Sequence, residues 1–411
     1  MKMPFKKIST KNTAKFSGLK VLYVSPCFPA YSTSKRFQYI WDPISASTAL
    51  GVDPVVLVTP SWRPKFAAIF HPDFIIEKID ETQFPVTLKI CRYFSIPRHY
   101  FRSVSNFFYL IRVVPIIKKL IKMYGVELIH AHGEIAGMAA VSAGKQLNIP
   151  AVVTIHGVDT CKRMRKGVAG KQFKRALSQA NKVIYVGESL QYLFSQVMEQ
   201  DFNASIVHNG FKVPTVKFDR SCRKQGDTTG IISVSNLHEG KGVDITLRAL
   251  AELKKLGIEN WRYKIIGDGY QRKYLEKIAA EFSLENQIEF IGDCMHDEVY
   301  AYLRQSDIFC LPSYREAFGI AYVEAMAHGL LTIGVKDQGP QAFIEHGKTG
   351  LLAEPKDVNS LVEMLRYSII NVEKMKEIAD AGQQHVLKYF TWEKHAEKLL
   401  SLYKEICGES Q

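Results

Sequence analysis

The sequence predicts an α/β protein of two doubly wound domains, each a parallel sheet with helices on both faces. Three observations carry that reading. Short β-branched runs alternate with helical patterns from about residue 19 onward, which is the signature of strands joined by crossover helices. The alternation stops across the polar stretch 211–230 and then resumes, as it does where a connector separates two domains. The chain has 411 residues, enough for two or three domains at roughly 100 to 200 residues each.

Taken in order, the first series places strands at 21–24, 54–58, 126–130, 151–155, 182–186 and 205–208. The run 21–24 ends at Ser25-Pro26, too short for the apolar region of a signal peptide, so it reads as a first strand. Segment 104–124 mixes aromatic and aliphatic residues with a lysine cluster and carries Pro115. It reads as a helix broken near that proline, either facing a core with a basic rim or lying at a membrane interface. The second series places strands at 231–235, 263–266, 288–291, 308–311 and 331–335. After 308–311 come a loop and a helix that begins near Phe318 and ends at Gly329. The boundaries that follow are 1–212 for the first domain, 213–229 for the linker and 230–390 for the second domain.

Composition narrows the class. With 46% hydrophobic and 23% charged residues, the chain is not disordered, collagen-like or a coiled coil. Seven scattered cysteines, none spaced C-x-x-C, indicate neither a disulfide framework nor a zinc site and fit a reducing cytosol. No apolar run reaches the 18 or so residues of a membrane span. The net charge of +13 is unevenly placed: 28 basic minus 11 acidic residues give +17 before residue 200, and 26 minus 30 give −4 after it. A basic half predicts an anionic partner. Nucleic acid is not expected, because no zinc-finger spacing, RNA-recognition signature or basic stretch interleaved with stacking aromatics is present. A membrane surface fits better, helped by basic residues at Lys162, Arg163, Arg165, Lys166, Lys171, Lys174 and Arg175.

In open parallel sheets ligands sit beyond the carboxyl ends of the strands, and that rule selects the candidate residues. Glu324 lies in an otherwise apolar helix, where a carboxylate costs several kcal/mol unless it is hydrogen-bonded, so it needs a partner or a polar cleft. Glu316 precedes that helix. Phe318, Gly319 and Ile320 offer backbone N–H groups at its start, an anion site suited to a diphosphate. The alternative is structural: Glu316 caps the helix and Glu324 pairs with a nearby Lys or Arg. Loop 236–242 also joins a strand to a helix, and Lys241 near its end reaches towards a phosphate. Gly267 and Gly269 let backbone approach a flat ring closely.

These residues resemble a known family. The run 316–324, EAFGIAYVE, is similar to the E-x7-E signature of family 4 retaining glycosyltransferases. Further matches are Ser233-Val234-Ser235-Asn236-Leu237 through Lys241-Gly242, Ile266-Gly267-Asp268-Gly269, Phe290-Ile291-Gly292, His130-Ala131-His132-Gly133, Thr154-Ile155-His156-Gly157 and His208-Asn209-Gly210. The resemblance implies the GT-B fold, with two Rossmann-like domains facing across a cleft and a C-terminal helix, 391–411, packing back towards the first domain.

It also implies a nucleotide diphosphate sugar as donor and a lipid-linked or polysaccharide acceptor. Glu324 would bond the ribose hydroxyls and Glu316 the donor sugar. Lys241 would neutralise the diphosphate together with the amides of Phe318, Gly319 and Ile320. His156 resembles the histidine beside the transferring sugar; its alternative is a helix cap. Asn236 stands in the donor loop where many members carry Arg, which leaves His238 as a second candidate base. The first loop, 28–34, lacks the glycine pair of many relatives. No D-x-D occurs in the chain, and the resemblance implies no cofactor and no metal. The expected enzyme is a cytoplasmic, peripheral transferase of cell-surface glycan synthesis at the inner face of the membrane. A nucleotide-sugar epimerase of the same fold and a catalytically silent nucleotide-sugar-binding protein are the alternatives.

Overall fold

A computed structural model describes residues 18–31, 37–62, 79–95, 102–164, 167–198, 202–214 and 226–408. Outside the described residues lie the basic N-terminal tail, positions 32–34 of the first loop, Arg165, Lys166 and positions 215–225 of the linker. For Lys162 and Arg163 only the backbone is described.

The strands are β1 (Lys20–Ser25), β2 (Asp53–Val58), β3 (Ser61–Trp62), β4 (Thr87–Ile90), β5 (Tyr93–Phe94), β6 (Leu128–His132), β7 (Ala151–Ile155), β8 (Lys182–Tyr185) and β9 (Ala204–Ile206). They continue with β10 (Thr229–Val234), β11 (Trp261–Ile266), β12 (Ile288–Gly292), β13 (Ile308–Cys310), β14 (Leu331–Val335) and β15 (Leu351–Ala353). Two large sheets run in the orders β4-β2-β1-β6-β7-β8-β9 and β12-β11-β10-β13-β14-β15, with a ribbon of β3 and β5. In both large sheets the chain winds outward from the first strand, then returns and winds the other way, which is the doubly wound topology the sequence predicts. Strands β6, β7 and β14 are buried at every position, as they must be where helices cover both faces of a parallel sheet.

The winding reverses between β1 and β6 and between β10 and β13. At such a switch point the two following loops diverge to opposite faces and leave a crevice beyond the strand ends. In the second sheet, those loops begin at Ser235 and Leu311. The chain divides into two compact units: residues 1–154, 166–183 and 396–411, and residues 155–165 and 184–395. The units interleave along the chain, and residues 396–411 belong to the first unit.

Four expectations about elements change. The strand placed at 126–130 is β6, two residues later; Val126 is buried, but Glu127 is exposed and its carboxylate accepts from the Lys20 amide at 2.9 Å, so the unbroken buried run starts at Leu128. The helix expected to break near Pro115 runs unbroken from Arg102 to Tyr124. Proline removes the bond to the carbonyl of residue 111, but Pro115 and Ile111 lie on the exposed side, where water can satisfy that carbonyl. The helix placed from Phe318 begins at Ile320, because Gly319 has φ 95° and ends any helical run there. Finally, β3, β4, β5 and β15 were not anticipated. They are two to four residues long, too short to show a periodicity.

Candidate active site

Loop 235–242 is shaped by its neighbour at 267–271. The Ser235 amide donates to the Ile266 carbonyl at 3.0 Å, the Leu237 amide to the Asp268 carbonyl at 2.9 Å and the Gln271 amide to the Leu237 carbonyl at 3.2 Å. Such close backbone contact demands glycine. A Cβ on Gly267, at φ 114°, would stand 1.9 Å from the Ser235 oxygen, and one on Gly269 would stand 2.3 Å from the Leu237 oxygen. The two glycines therefore hold the loop in place.

Lys241 ends a short 3-10 turn, Glu239–Lys241, before the helix Val243–Lys255. Its Nζ donates to Glu316 Oε2 at 2.6 Å, and both side chains are mostly buried. Glu316 is fixed in turn by the segment after β14: its amide donates to Gln338 Oε1 at 3.2 Å, and its carbonyl accepts from the Gly339 amide at 3.0 Å. The Ser313 hydroxyl and the Tyr314 amide both donate to the Gly240 carbonyl, at 3.0 and 3.1 Å. The loops after β10 and β13 are thus joined at the switch point, and a cation and a carboxylate meet there.

Gly319 turns the chain into the helix Ile320–Ala327. A Cβ there would lie 2.6 Å from the Tyr322 ring, so the left-handed turn and the packing select glycine together. Phe318 is buried against the rings of His208, Phe343 and Phe390, which anchors the segment. The first amides of the helix have no carbonyl one turn back to donate to and mark its positive end.

Glu324 is buried, one turn into the helix that follows Glu316, yet its partners are not a Lys or Arg. His296 Nε2 lies 2.9 Å from Glu324 Oε1, and the Tyr300 hydroxyl donates to the same oxygen at 3.2 Å. His296 and Tyr300 stand one turn apart on the helix His296–Arg304, with Nε2 to hydroxyl at 2.8 Å. Both protein contacts fall on one carboxylate oxygen. The structural alternative, with Glu316 as a cap and Glu324 paired to a Lys or Arg, is replaced by two separate arrangements: Lys241 with Glu316, and His296 and Tyr300 with Glu324.

Other expected residues are placed differently. Asn236 is exposed, and its carbonyl accepts from the His238 amide at 3.0 Å. His238 is a poor source of positive charge: burial lowers its pKa first, then Lys241 and Arg315. Arg315, unremarked in the sequence, packs its stem on Gly240 and pairs with Asp159 at 2.5 Å. His156 follows β7 and keeps part of its surface open, but burial of the ring, with His395 second, holds its pKa down to about 3. It is therefore neutral at neutral pH and acts through an N–H or a lone pair. His130 is structural, held between the Tyr403 hydroxyl at 2.5 Å and the Thr154 hydroxyl at 2.6 Å. Among the described residues no three His, Cys, Asp or Glu side chains gather to hold a metal ion.

Comparison with known proteins decides the family. Residues 38–213 match the model for Glycosyltransferase Family 4, and residues 217–385 match that for Glycosyl transferases group 1. An uncharacterised glycosyltransferase of Methanocaldococcus jannaschii is 30% identical over 74% of this chain and 82% of its own length. The chain belongs to glycosyltransferase family 4. This glycosyltransferase is also similar to the gpi3 subunit of the phosphatidylinositol N-acetylglucosaminyltransferase of Schizosaccharomyces pombe, 24% identical over 77% of this chain and 69% of that protein. The Anabaena protein HepE, solved in complex with UDP and glucose, superposes with a TM-score of 0.69 at 18% identity, over 94% of this chain and all of the other. The fold is GT-B.

Knowledge of the family does not reveal the residues that the sequence reading missed in the glycosyltransferase. His296 and Tyr300 belong to no motif singled out above, whereas Arg315 and Gln338 lie in the segments 313–319 and 336–340 that follow strands, without a part of their own. A partial signal existed for the first two: a His and a Tyr four residues apart at the start of a helix share one face.

Proposed function

We propose that this glycosyltransferase takes a sugar from a nucleotide diphosphate sugar and passes it, with retention at the anomeric carbon, to a lipid-linked or polysaccharide acceptor in cell-surface glycan synthesis. The observation that carries this reading is the Lys241–Glu316 pair, which lies at the switch point just before the Ile320–Ala327 helix. When the glycosidic bond breaks, the departing diphosphate gains negative charge, and preorganised donors aimed at it lower the barrier. Lys241 has three N–H donors and commits one to Glu316. The others, with the amides of Gly319 and Ile320, form a cationic end for the phosphates. Glu324, its Oε1 held by His296 and Tyr300, keeps its second oxygen for two adjacent ribose hydroxyls.

Glu316, in contact with an ammonium, is a poor nucleophile and a good acceptor for sugar hydroxyls. That favours a front-face route, in which the leaving phosphate takes the acceptor proton, over a covalent sugar–enzyme intermediate. Neutral His156 acts as a positioned donor beside the sugar. The reaction needs no metal in this reading, because the lysine and the amides supply the charge. Support for the substrates comes from the relatives' names: the Anabaena structure holds UDP and glucose, and the yeast relative is named for phosphatidylinositol and N-acetylglucosamine. The basic first 200 residues support work at an anionic membrane surface on the cytoplasmic side.

The test is a panel of UDP-, GDP- and ADP-sugars titrated into wild type and Glu324→Ala with EDTA present, following heat and nucleotide release. The reading expects one donor to bind the wild type and to be lost by the variant. Conversion of a nucleotide sugar to its epimer without acceptor would move the protein to the epimerase reading. Binding without transfer or hydrolysis would make it a silent binder.

A further inference from the structure

The helix Arg102–Tyr124 buries Tyr109, Val113, Ile117 and Leu120 against its own unit. At helical spacing the opposite face meets water, and in a globular protein it is normally polar. Here Phe107 and Ile111 stand 58% exposed and Phe108 41% exposed. Further along, Lys119 and Lys122 are exposed together with Pro115 and Met123. Across its 23 residues the helix has no carboxylate.

A second element extends this face. In the ribbon of β3 and β5, Trp62 is 46% exposed and Phe94 47%. Their rings lie 6.1 Å apart, Phe94 meets Phe108 edge-on at 5.7 Å, and Phe108 meets Phe107 at 5.9 Å. Four rings from three separate stretches of chain therefore form one continuous exposed row. Arg92, just before β5, and Arg112 on the helix are both exposed. An exposed aromatic surface of this kind marks an interaction site, because scattered apolar residues do not line up by accident of folding.

We propose that this face docks on a bilayer containing anionic lipids. Trp62, Phe94, Phe107 and Phe108 enter the boundary between headgroups and acyl chains, and Arg112 and Lys119 meet anionic headgroups. Charge decides the occupant: among the described residues of the helix and the ribbon, the exposed charges beside the rings are the cations Arg92, Arg112, Lys119 and Lys122, and an apolar centre with cations beside it matches a surface that is apolar beneath and anionic on top. A second copy of this chain would set the same cations against each other across a two-fold interface. The helix lies on the membrane, since no described helix is long and apolar enough to cross one. The proposal rests on the membrane-acceptor reading for its purpose, while its geometry stands apart from it.

Of the four tryptophans, Trp41, Trp261 and Trp392 are buried, and only Trp62 is exposed. Intrinsic fluorescence therefore isolates the proposed surface. The full chain is mixed with vesicles of equimolar phosphatidylcholine and phosphatidylglycerol, with and without brominated acyl chains, and with vesicles of phosphatidylcholine alone. The expected result is a blue shift and bromine quenching on the anionic vesicles. Trp62→Phe removes the spectral change, and Phe107→Ser with Phe108→Ser weakens partitioning by about tenfold or more. An unchanged thermal melt shows that the variants are folded.

Vesicle binding without quenching of Trp62, or binding undiminished in the double variant, overturns the proposal. So does a Trp62 shift that tracks protein concentration in the absence of lipid, which would mean self-association. Vesicle docking without binding of any donor sugar strikes the transferase reading alone. Donor binding without docking strikes this surface alone.

Discussion

The glycosyltransferase carries two unlike regions, the charged group around Lys241, Glu316 and Glu324 and the aromatic face of the Arg102–Tyr124 helix. In the first, side chains that are costly to bury are buried, and each has a named partner at hydrogen-bond distance. In the second, side chains that gain most from burial stand in water. Each departs from the ordinary sorting of polar outside and apolar inside, in opposite directions. Buried charge with fixed geometry suits recognition of particular hydroxyls and phosphates. Exposed apolar surface suits a partner without directional bonds.

The sharpest way to break this contrast is Glu316→Ala. If the pair with Lys241 handles the sugar, kcat/KM for nucleotide release falls by about a thousandfold. A fall of less than tenfold would reduce the pair to a structural link. Glu324→Ala comes next, with donor affinity lowered by about tenfold to a hundredfold, as expected for losing charge-assisted bonds to two hydroxyls. Titration calorimetry measures it, and kcat at saturating donor should change little.

The glycines sharpen the comparison by a different readout. Gly267→Ala forces a Cβ towards the Ser235 oxygen, so the melting temperature should drop by the equivalent of roughly 2 kcal/mol or more. His296→Ala and Tyr300→Phe act through Glu324 as positioning residues. Each should raise the donor KM by about fivefold, near 1 kcal/mol for one hydrogen bond, and leave kcat unchanged. A fall in kcat with KM unchanged would assign them another role.

A separate readout concerns pH. The His156 pKa, lowered from its ordinary 6.5 to about 3 by burial and then by His395, means that between these values the unfolded chain binds a proton that the native protein does not. Stability therefore rises with pH through that window and falls on acidification. In denaturant titrations at several pH values, His156→Gln should flatten this slope. A slope unchanged in the variant would place the acid sensitivity elsewhere.

Much was legible in the residues. β-branched runs betray parallel strands because burial on both faces leaves a continuous apolar stretch. Glu316, Lys241 and Glu324 were legible because their motif spacings are local, and the structure brings the first two together. The partners of Glu324 were not legible: His296 is 28 positions away and Tyr300 is 24, and their shared helix face does not say which carboxylate they meet. His238 looked like a base because sequence cannot show the burial and the neighbouring Arg315 that lower its pKa. The proline in the Arg102–Tyr124 helix looked like a break because only the fold reveals which face is wet.

By itself, then, the sequence determined the strand-and-helix order, the doubly wound class and the residue types gathered at the strand ends. These follow from local periodicity and turn chemistry, which are properties of neighbouring residues. Only the tertiary structure decided which charges pair, which carboxylate oxygen of Glu324 meets His296 and Tyr300, and that Trp62, Phe94 and Phe108 form one row. Those outcomes depend on distances between segments far apart in the chain, and packing sets those distances.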